Sequence, residues 1–353
     1  MFRIFVHLSP RALGDFVGYA QLAASVRELF DDAALYIHFV DDRPYKQNII
    51  RCIPNAAMAF TSVAGIKVDY FDCNFGRPTH GINFWEENKL HDTDLFLSGH
   101  MMHELMLNSL PQKRLRPHPK SISINDYKLI AYGLDPSRWY ACVYWKEDGY
   151  EFRGFNPVRT ITNPEPYIAT IRHIIENLGG QVVRLGHPTE TVIPKMRGFV
   201  DLAKVSGSED LQMYAVARAR FFVASASGPA AYGPAFGVPT LNTDQNYALG
   251  VWGKNDYILT QTLRHNGRAI RQTEAFDSKL LFIETDQQGF IFEKNTSAEL
   301  ASGADEMFKS TSDCNGWRPI VDERPVGLRP NSITLPLKRR YNRDLLIPPS
   351  QRV

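Results

Sequence analysis

The stretch Arg220-Phe-Phe-Val-Ala-Ser225-Ala-Ser227-Gly228-Pro229-Ala-Ala-Tyr232-Gly-Pro-Ala-Phe236-Gly237-Val238-Pro239-Thr-Leu-Asn242 decides the fold. It reads as strand, tight turn, short helix, strand. Phe221, Phe222 and Val223 form the short apolar run of a buried parallel strand. Ser225, Ser227 and Gly228 follow where the chain must turn. Pro229 suits the first position of a helix, because its missing N–H would have had no partner there. Gly237 stops that helix, and Val238 to Leu241 begin another strand. A strand feeding a Ser/Gly turn leaves backbone N–H groups at the strand's C-terminal end, the place where α/β sheets take anionic ligands. A side chain at Gly228 would crowd that turn.

The flanking sequence repeats this alternation. Residues 2–8 form an apolar strand, Leu13-Gly14-Asp15 a turn, and Leu22, Val26, Leu29 and Phe30 one face of a helix before a strand over 34–40. Strands are expected near Lys67–Phe71 and Leu95–Leu97, a helix near Met101–Leu110, and a Pro-rich basic loop over Leu110–Lys120. A second α/β unit opens with the strand Tyr140–Trp145. Asn163-Pro164-Glu165 starts a helix with a cap, a proline and an acid in the first turn. Gly179-Gly180 end it. Strands over Gln181–Gly186 and Phe199–Ala203 and a helix over Glu209–Arg218 lead into the opening motif. Alternation of this kind argues an α/β chain with a doubly wound opening domain and a second parallel sheet. The expected boundaries are 1–138, 139–330 and a Pro/Arg-rich tail over 331–353, in which Leu335–Leu346 has helical spacing.

Composition narrows the function classes. The 353 residues carry 40 Lys and Arg against 38 Asp and Glu, a net charge of +2 that gives no reason to expect nucleic acid as a partner. The four cysteines, Cys52, Cys73, Cys142 and Cys314, lie far apart, which offers neither a zinc knuckle nor a disulfide framework. No window approaches the ~20 apolar residues of a membrane span. A reduced, cytoplasmic chain is the expectation, with peripheral contact at the inner face of a membrane left open. Neither domain opens with Gly-x-Gly-x-x-Gly, which disfavours a dinucleotide oxidoreductase.

The opening stretch resembles the donor-domain segment of GT-B glycosyltransferases. It is similar to a group of bacterial glycosyltransferases distantly related to heptosyltransferases and to nodulation-type fucosyltransferases. Ser227-Gly228 and Phe236-Gly237-Val238-Pro239 carry the likeness. The resemblance implies two Rossmann-like, doubly wound domains facing a cleft, an acceptor side in the first and a nucleotide-sugar site in the second. It also implies a hexosyl or deoxyhexosyl transferase working on a glycan, lipid or protein acceptor, such as a bacterial surface glycan. Heptosyltransferases have a Gly-Asp after the first strand whose Asp is taken as the general base. Here that position is Asp15, beside Gly14, although an Asp at such a turn is also a natural helix cap. In the fucosyltransferase-like relatives an Arg after the first donor-domain strand holds the diphosphate. Tyr144-Trp145-Lys146 replaces their histidine-arginine start, which shifts the expectation to Arg159, then Arg153.

Further candidates follow from position. Arg184 in an apolar strand needs a partner, either a ligand in the cleft or a buried acid. Gly186 and His187 end the same strand, and Asn242 and Asp244 end the one after the turn. Gln261 stands where relatives carry a lysine. Together Arg159, Arg153, Arg184, Gly186, His187, Ser225, Ser227, Gly228, Pro229, Asn242 and Asp244 make the expected donor side. Gly14, His100 and His103 make the acceptor side. Asp92-Thr-Asp94 reads as structural, and no metal or other cofactor is required, because arginines and turn N–H groups neutralise the leaving diphosphate. A sugar-nucleotide epimerase or hydrolase of the same fold, and a non-catalytic glycan-binding scaffold, are the alternatives.

Overall fold

The computed structural model describes residues 1–8, 12–28, 30, 32–60, 79–80, 83–86, 89–92, 94–98, 114–148, 158–245, 256–271, 274 and 289–320. Two parallel sheets organise them. The first is built from β1 (Phe2–Leu8), β2 (Ala33–Phe39), β3 (Ala56–Phe60), β4 (Thr79–His80) and β7 (Leu95–Ser98), in the order β3-β2-β1-β7-β4. Only β4 runs antiparallel to its neighbour. A hairpin of β5 (Asn83–Glu86) and β6 (Lys89–Asp92) stands apart. Helix α1 (Leu13–Arg27) follows β1, and α2 (Pro44–Ile50) lies between β2 and β3. The strands expected over 2–8, 34–40 and 95–97 are all present within a residue. The strand expected near 67–71 and the helix expected near 101–110 lie outside the described residues.

The second sheet has six strands, all parallel: β8 (Tyr140–Tyr144), β9 (Gln181–Arg184), β10 (Phe199–Asp201), β11 (Phe221–Ser225), β12 (Thr240–Gln245) and β13 (Tyr257–Thr260). Their order is β10-β9-β8-β11-β12-β13. Counted from β8 this is 3-2-1-4-5-6, the Rossmann order, whose direction reverses between β8 and β11. Helix α3 (Pro119–Ala131) precedes β8. Helices α4 (Glu165–Glu176), α5 (Glu209–Arg218), α6 (Tyr232–Phe236) and α7 (Ser297–Ser310) flank the sheet. A small antiparallel sheet of β14 (Thr262–His265), β15 (Arg268–Ala269) and β16 (Phe290–Glu293) interrupts the alternation.

Local chemistry accounts for the elements that matter. Asn163 Oδ1 accepts from Glu165 N–H at 3.1 Å and so takes up the first free N–H of α4, one residue ahead of the cap position Pro164. Gly237 closes α6 at φ 66°, a left-handed geometry that glycine tolerates. Two elements depart from the sequence reading. Helix α3 begins inside the expected loop, because His118 caps it through Lys120 N–H and Pro119 fits the first turn. Helix α7 starts with a capping box, Thr296 with Glu299.

Packing ties the sheets together. One continuous apolar cluster joins Ile4, Val6, Phe16 and Val17 to Phe222, Ala224, Tyr232 and Phe236. A second cluster covers the other face of the six-stranded sheet, with Val143, Val223 and Leu241 against Ile171, Ile174, Leu300 and Met307. The first sheet therefore shares a core with one face of the second. Fixing that relation positions the start of α1 and the turn that leaves β11.

Candidate active site

In a doubly wound sheet the crevice opens where the strand order reverses, here at the C-terminal ends of β8 and β11. Lys146 N–H donates to Ser225 Oγ at 3.0 Å, and Tyr144 OH donates to Ser227 Oγ at 3.2 Å. These bonds pin the two strand ends side by side. Ser225 is fully buried behind them, whereas Ser227, Gly228 and Pro229 are partly open. The turn continues as a 3-10 segment, Gly228–Ala231, into the five-residue α6.

Against this turn sits the first turn of α1. A Cβ on Gly14 would lie 3.2 Å from Gly228 Cα, and one on Gly228 would lie 3.0 Å from Leu13 Cβ and 3.1 Å from Gly14 N. Only two glycines allow this approach. Gly228 is thus a close-packing residue between the sheets, a reason beyond the turn geometry read from the sequence. Asp15, the next residue after Gly14, is exposed in the helix's first turn and makes no capping bond; the cap position is Ala12. The two motifs read separately from the sequence, Gly14-Asp15 and Ser227-Gly228, meet at one place.

The first loop after β8 returns to the same crevice. Ile161 N–H donates to Lys146 C=O at 2.8 Å. Val158 C=O accepts from Gln261 Nε2 at 2.6 Å and from Lys294 Nζ. Half-buried Arg159 is held between these anchors, beside the strand reversal. Gln261, which replaces the relatives' lysine, serves as backbone scaffolding, also bonding Asp244 C=O at 2.6 Å.

Asn242 pairs in register with Ala224, one residue before Ser225. Leu241 packs toward α4 and α7 and Thr243 bonds Tyr167, so alternation turns Asn242 to the opposite face, toward the turn. Its side chain is 8% exposed, and its Nδ2 has no hydrogen-bond partner among the described residues. A buried donor without an acceptor is costly, and at the rim of a crevice a ligand atom could satisfy it.

Three expected donor residues are occupied elsewhere. Arg184 is fully buried: Nη2 meets Glu147 Oε1 at 3.3 Å and Glu190 Oε2 at 3.1 Å, Nη1 meets Asp201 Oδ2 at 3.2 Å, and the guanidinium lies 4.2 Å from the Trp145 ring centre. Of the two partners open to it on sequence grounds, it takes the buried acids. Three carboxylates around one guanidinium leave excess negative charge. Burial, reinforced by Glu147, outweighs the pull of Arg184 and pushes the Glu190 carboxyl up to about 8, so Glu190 keeps its proton near neutral pH. Gly186 N–H and C=O are both taken by the Gln212 amide, each at 3.0 Å. Asp244, at φ 51°, accepts from Asn295 N–H and Tyr167 OH, both at 2.6 Å, and ties β12 to the start of α7. Burial and this carboxylate hold the Tyr167 hydroxyl well above its usual range.

His187, half-buried, contacts Thr189 Oγ1 at 2.8 Å in its own loop. Asp94 accepts from Arg3 N–H at 2.7 Å, a structural role. Arg153, His100 and His103 lie outside the described residues, as does the Asp92 side chain. Sequence reasoning missed a pair at the ends of β1 and β2. His7 Nδ1 and His38 Nδ1 are 2.6 Å apart, and burial, with help from His38 and Lys46, lowers His7 to about 4. Lys46 is itself buried, bonded to Asp42 Oδ1 at 2.7 Å and Val40 C=O at 3.0 Å. Polar residues inside apolar strands were the available signal.

No family model matches the chain, and no curated protein matches it. Among solved structures it is similar to a glycosyl transferase family 9 protein from Veillonella parvula DSM 2008, at 10% identity and a TM-score of 0.53, over 88% of this chain and 98% of that one. The fold is GT-B-like. Two Escherichia coli structures align more loosely. ADP-heptose lipopolysaccharide heptosyltransferase II has 12% identity and a TM-score of 0.43, over 69% of this chain and 84% of its own. Heptosyltransferase WaaC, with ADP-2-deoxy-2-fluoro heptose, has 12% identity and a TM-score of 0.40, over 79% and 98%. The GT-B-like fold agrees with the two-sheet architecture read from the sequence.

Proposed function

We propose that this protein moves a sugar from a nucleotide-sugar donor to a glycan, lipid or protein acceptor. The observation that carries the reading is the contact of the Gly14-Asp15 turn with the Ser227-Gly228 turn at the strand reversal of the Rossmann-ordered sheet. It sets a solvent-facing carboxylate beside the crevice where such sheets bind nucleotides. The donor's diphosphate would lie against the Ser227–Pro229 turn, with Arg159 neutralising it and the Asn242 amide donating a hydrogen bond. The acceptor hydroxyl oxygen would attack the anomeric carbon while its proton passes to Asp15. The bond from that carbon to the diphosphate oxygen breaks, and the nucleoside diphosphate leaves with its electron pair. Charge-assisted bonds from Arg159 and turn N–H groups stabilise the leaving diphosphate without a metal in this reading. Arg184, Gly186 and Asp244 act behind the site, shaping the loops. The first half is the acceptor side and the second the donor side.

Thermal melting of the full chain with ADP, GDP, UDP and CMP, and with their sugars, tests this. A ligand that binds the folded state raises the melting temperature by mass action. One nucleoside diphosphate series should do so, and Arg159→Ala should erase most of that shift. Failure of every nucleotide to move the transition would reject the donor site.

A further inference from the structure

Helix α3 carries an unusual surface. Seven large hydrophobic side chains are exposed among the described residues, and four belong to this helix or its cap: Ile124 at 57%, Tyr127 at 72%, Ile130 at 44% and Tyr132 at 46%. The inward face is already used, with Asn125 and Leu129 buried and Leu129 in the shared core. The helix has one acid, Asp126, and it too is turned inward. Its carboxylate accepts from Tyr214 OH at 2.6 Å and pairs with Arg218 at 3.3 Å. The outward face therefore combines apolar and aromatic groups with two exposed cations, Lys120 and Lys128, and no anion.

A second observation points the same way. The described chain ends beside this helix: Trp317 Nε1 donates to Asp135 C=O at 3.2 Å, and Arg218, the partner of Asp126, donates to Arg318 C=O at 2.7 Å. The residues that follow are strongly basic past position 331, with Lys338, Arg339, Arg340, Arg343 and Arg352 against Asp344 alone. The whole chain is nearly neutral at +2, so this is a local concentration of positive charge. Aromatic and aliphatic groups interleaved with lysines on one helix face are the composition that lies in a lipid headgroup layer. The basic sequence that follows adds the second signal that stable surface binding needs. No helix among the described residues is long and apolar enough to cross a membrane, so the contact would be made from one face.

We propose that the outer face of α3 docks on a bilayer surface carrying anionic lipid. Ile124, Tyr127, Ile130 and Tyr132 enter the headgroup layer, and Lys120 and Lys128 pair with lipid phosphates. The proposal does not depend on the glycosyl-transfer reading. The test is co-sedimentation of the full chain with vesicles of phosphatidylcholine alone or mixed with phosphatidylglycerol, over a range of salt. The chain should bind the mixed vesicles, release with salt, and ignore the neutral ones. Ile124→Asp with Tyr127→Asp should lower partitioning by about tenfold or more without moving the melting temperature, since both side chains are exposed. Lys120→Glu with Lys128→Glu should lower it by roughly tenfold and flatten the salt dependence. This second pair keeps the test decisive should the first fail to fold. Absence of binding to the mixed vesicles overturns the proposal. Parental binding by both paired variants also overturns it and moves the contact to the basic tail. A dimer in light scattering that the Asp pair turns into a monomer overturns it too, and makes the face a contact between two copies.

Discussion

Two neighbouring places on the same sheet meet the same problem differently. At β9, Arg184 is closed in by Glu147, Glu190, Asp201, Thr191 and the Trp145 ring, and nothing of it reaches solvent. At the reversal between β8 and β11, the chain leaves an exposed Asp15, a partly open Ser227 and an Asn242 amide without a partner among the described residues. Both places are polar and both sit at strand C-termini. They differ in what the polar groups face: at β9 they face one another, and at the reversal they face the crevice. A charge cluster shut off from solvent is framework, even though Arg184 Nε and Asp201 Oδ1 within it lack hydrogen-bond partners among the described residues; polar groups open to a crevice are where a ligand can bond.

The sharpest way to break this comparison is to exchange the consequences. Asp15→Asn removes the proton acceptor but keeps the side chain's size. Turnover should fall by roughly 10²- to 10⁴-fold, the usual worth of a general base, with donor affinity and melting temperature unchanged. A steady-state assay run beside a melt decides it, and undiminished turnover would return Asp15 to a helix-terminal role. Arg184→Ala should do the reverse. It removes the one cation that Glu147, Glu190 and Asp201 share, and should cost about 3–5 kcal/mol of stability. Denaturant melts measure that loss. If the variant is as stable as the parent and fails only in diphosphate binding, Arg184 belongs to the site after all.

A smaller effect sharpens the open end. Arg159→Ala should weaken binding of the nucleoside diphosphate by roughly tenfold to a hundredfold, the worth of a charge-assisted bond or two, and leave the bare nucleoside unaffected. Calorimetric titration with both ligands checks it. Equal diphosphate affinity in parent and variant would remove Arg159 from the crevice.

How much of this was legible depends on the range of the interactions. Phe221–Ser225, the Gly237 stop and the helix start at Asn163 are local, and each stands where the sequence places it. The meeting of Gly14 with Gly228 was not legible, because no local pattern reports which turn of one sheet touches which turn of another. Arg184 shows the same limit. Its sequence neighbours say only that a partner must exist, and the choice between phosphate and carboxylate is made by Glu147, after β8, and Asp201, at the end of the neighbouring strand β10. Helix α3 was hidden by the prolines ahead of it, although Pro119 is a natural first-turn residue. The Thr296–Glu299 capping box was a readable signal that the pattern of strands overshadowed.

The smallest effect is carried by protons, and it sets the two sheets against each other. In the first sheet, His7 is lowered from 6.5 to about 4, so between those values the unfolded chain binds a proton that the folded one refuses. Stability from His7 therefore rises with pH across that interval, by at most about 1.4 kcal/mol per unit. In the second, Glu190 is raised from 4.5 to about 8, so the folded chain keeps a proton that the unfolded one releases. Stability from Glu190 is complete below the lower value and is lost as pH rises to the upper one. Between roughly pH 4.5 and 6.5 the two slopes oppose and cancel; above that only the Glu190 decline remains. The parent should thus show a flat melting temperature in mildly acidic buffer and a fall toward pH 8. Glu190→Gln replaces the protonated carboxyl with a neutral amide of the same shape. It should abolish the fall and expose the His7 rise on the acid side. An unchanged profile in Glu190→Gln would show that Arg184 holds all three carboxylates ionised, and the cluster at β9 would then be an ion network with no stored proton.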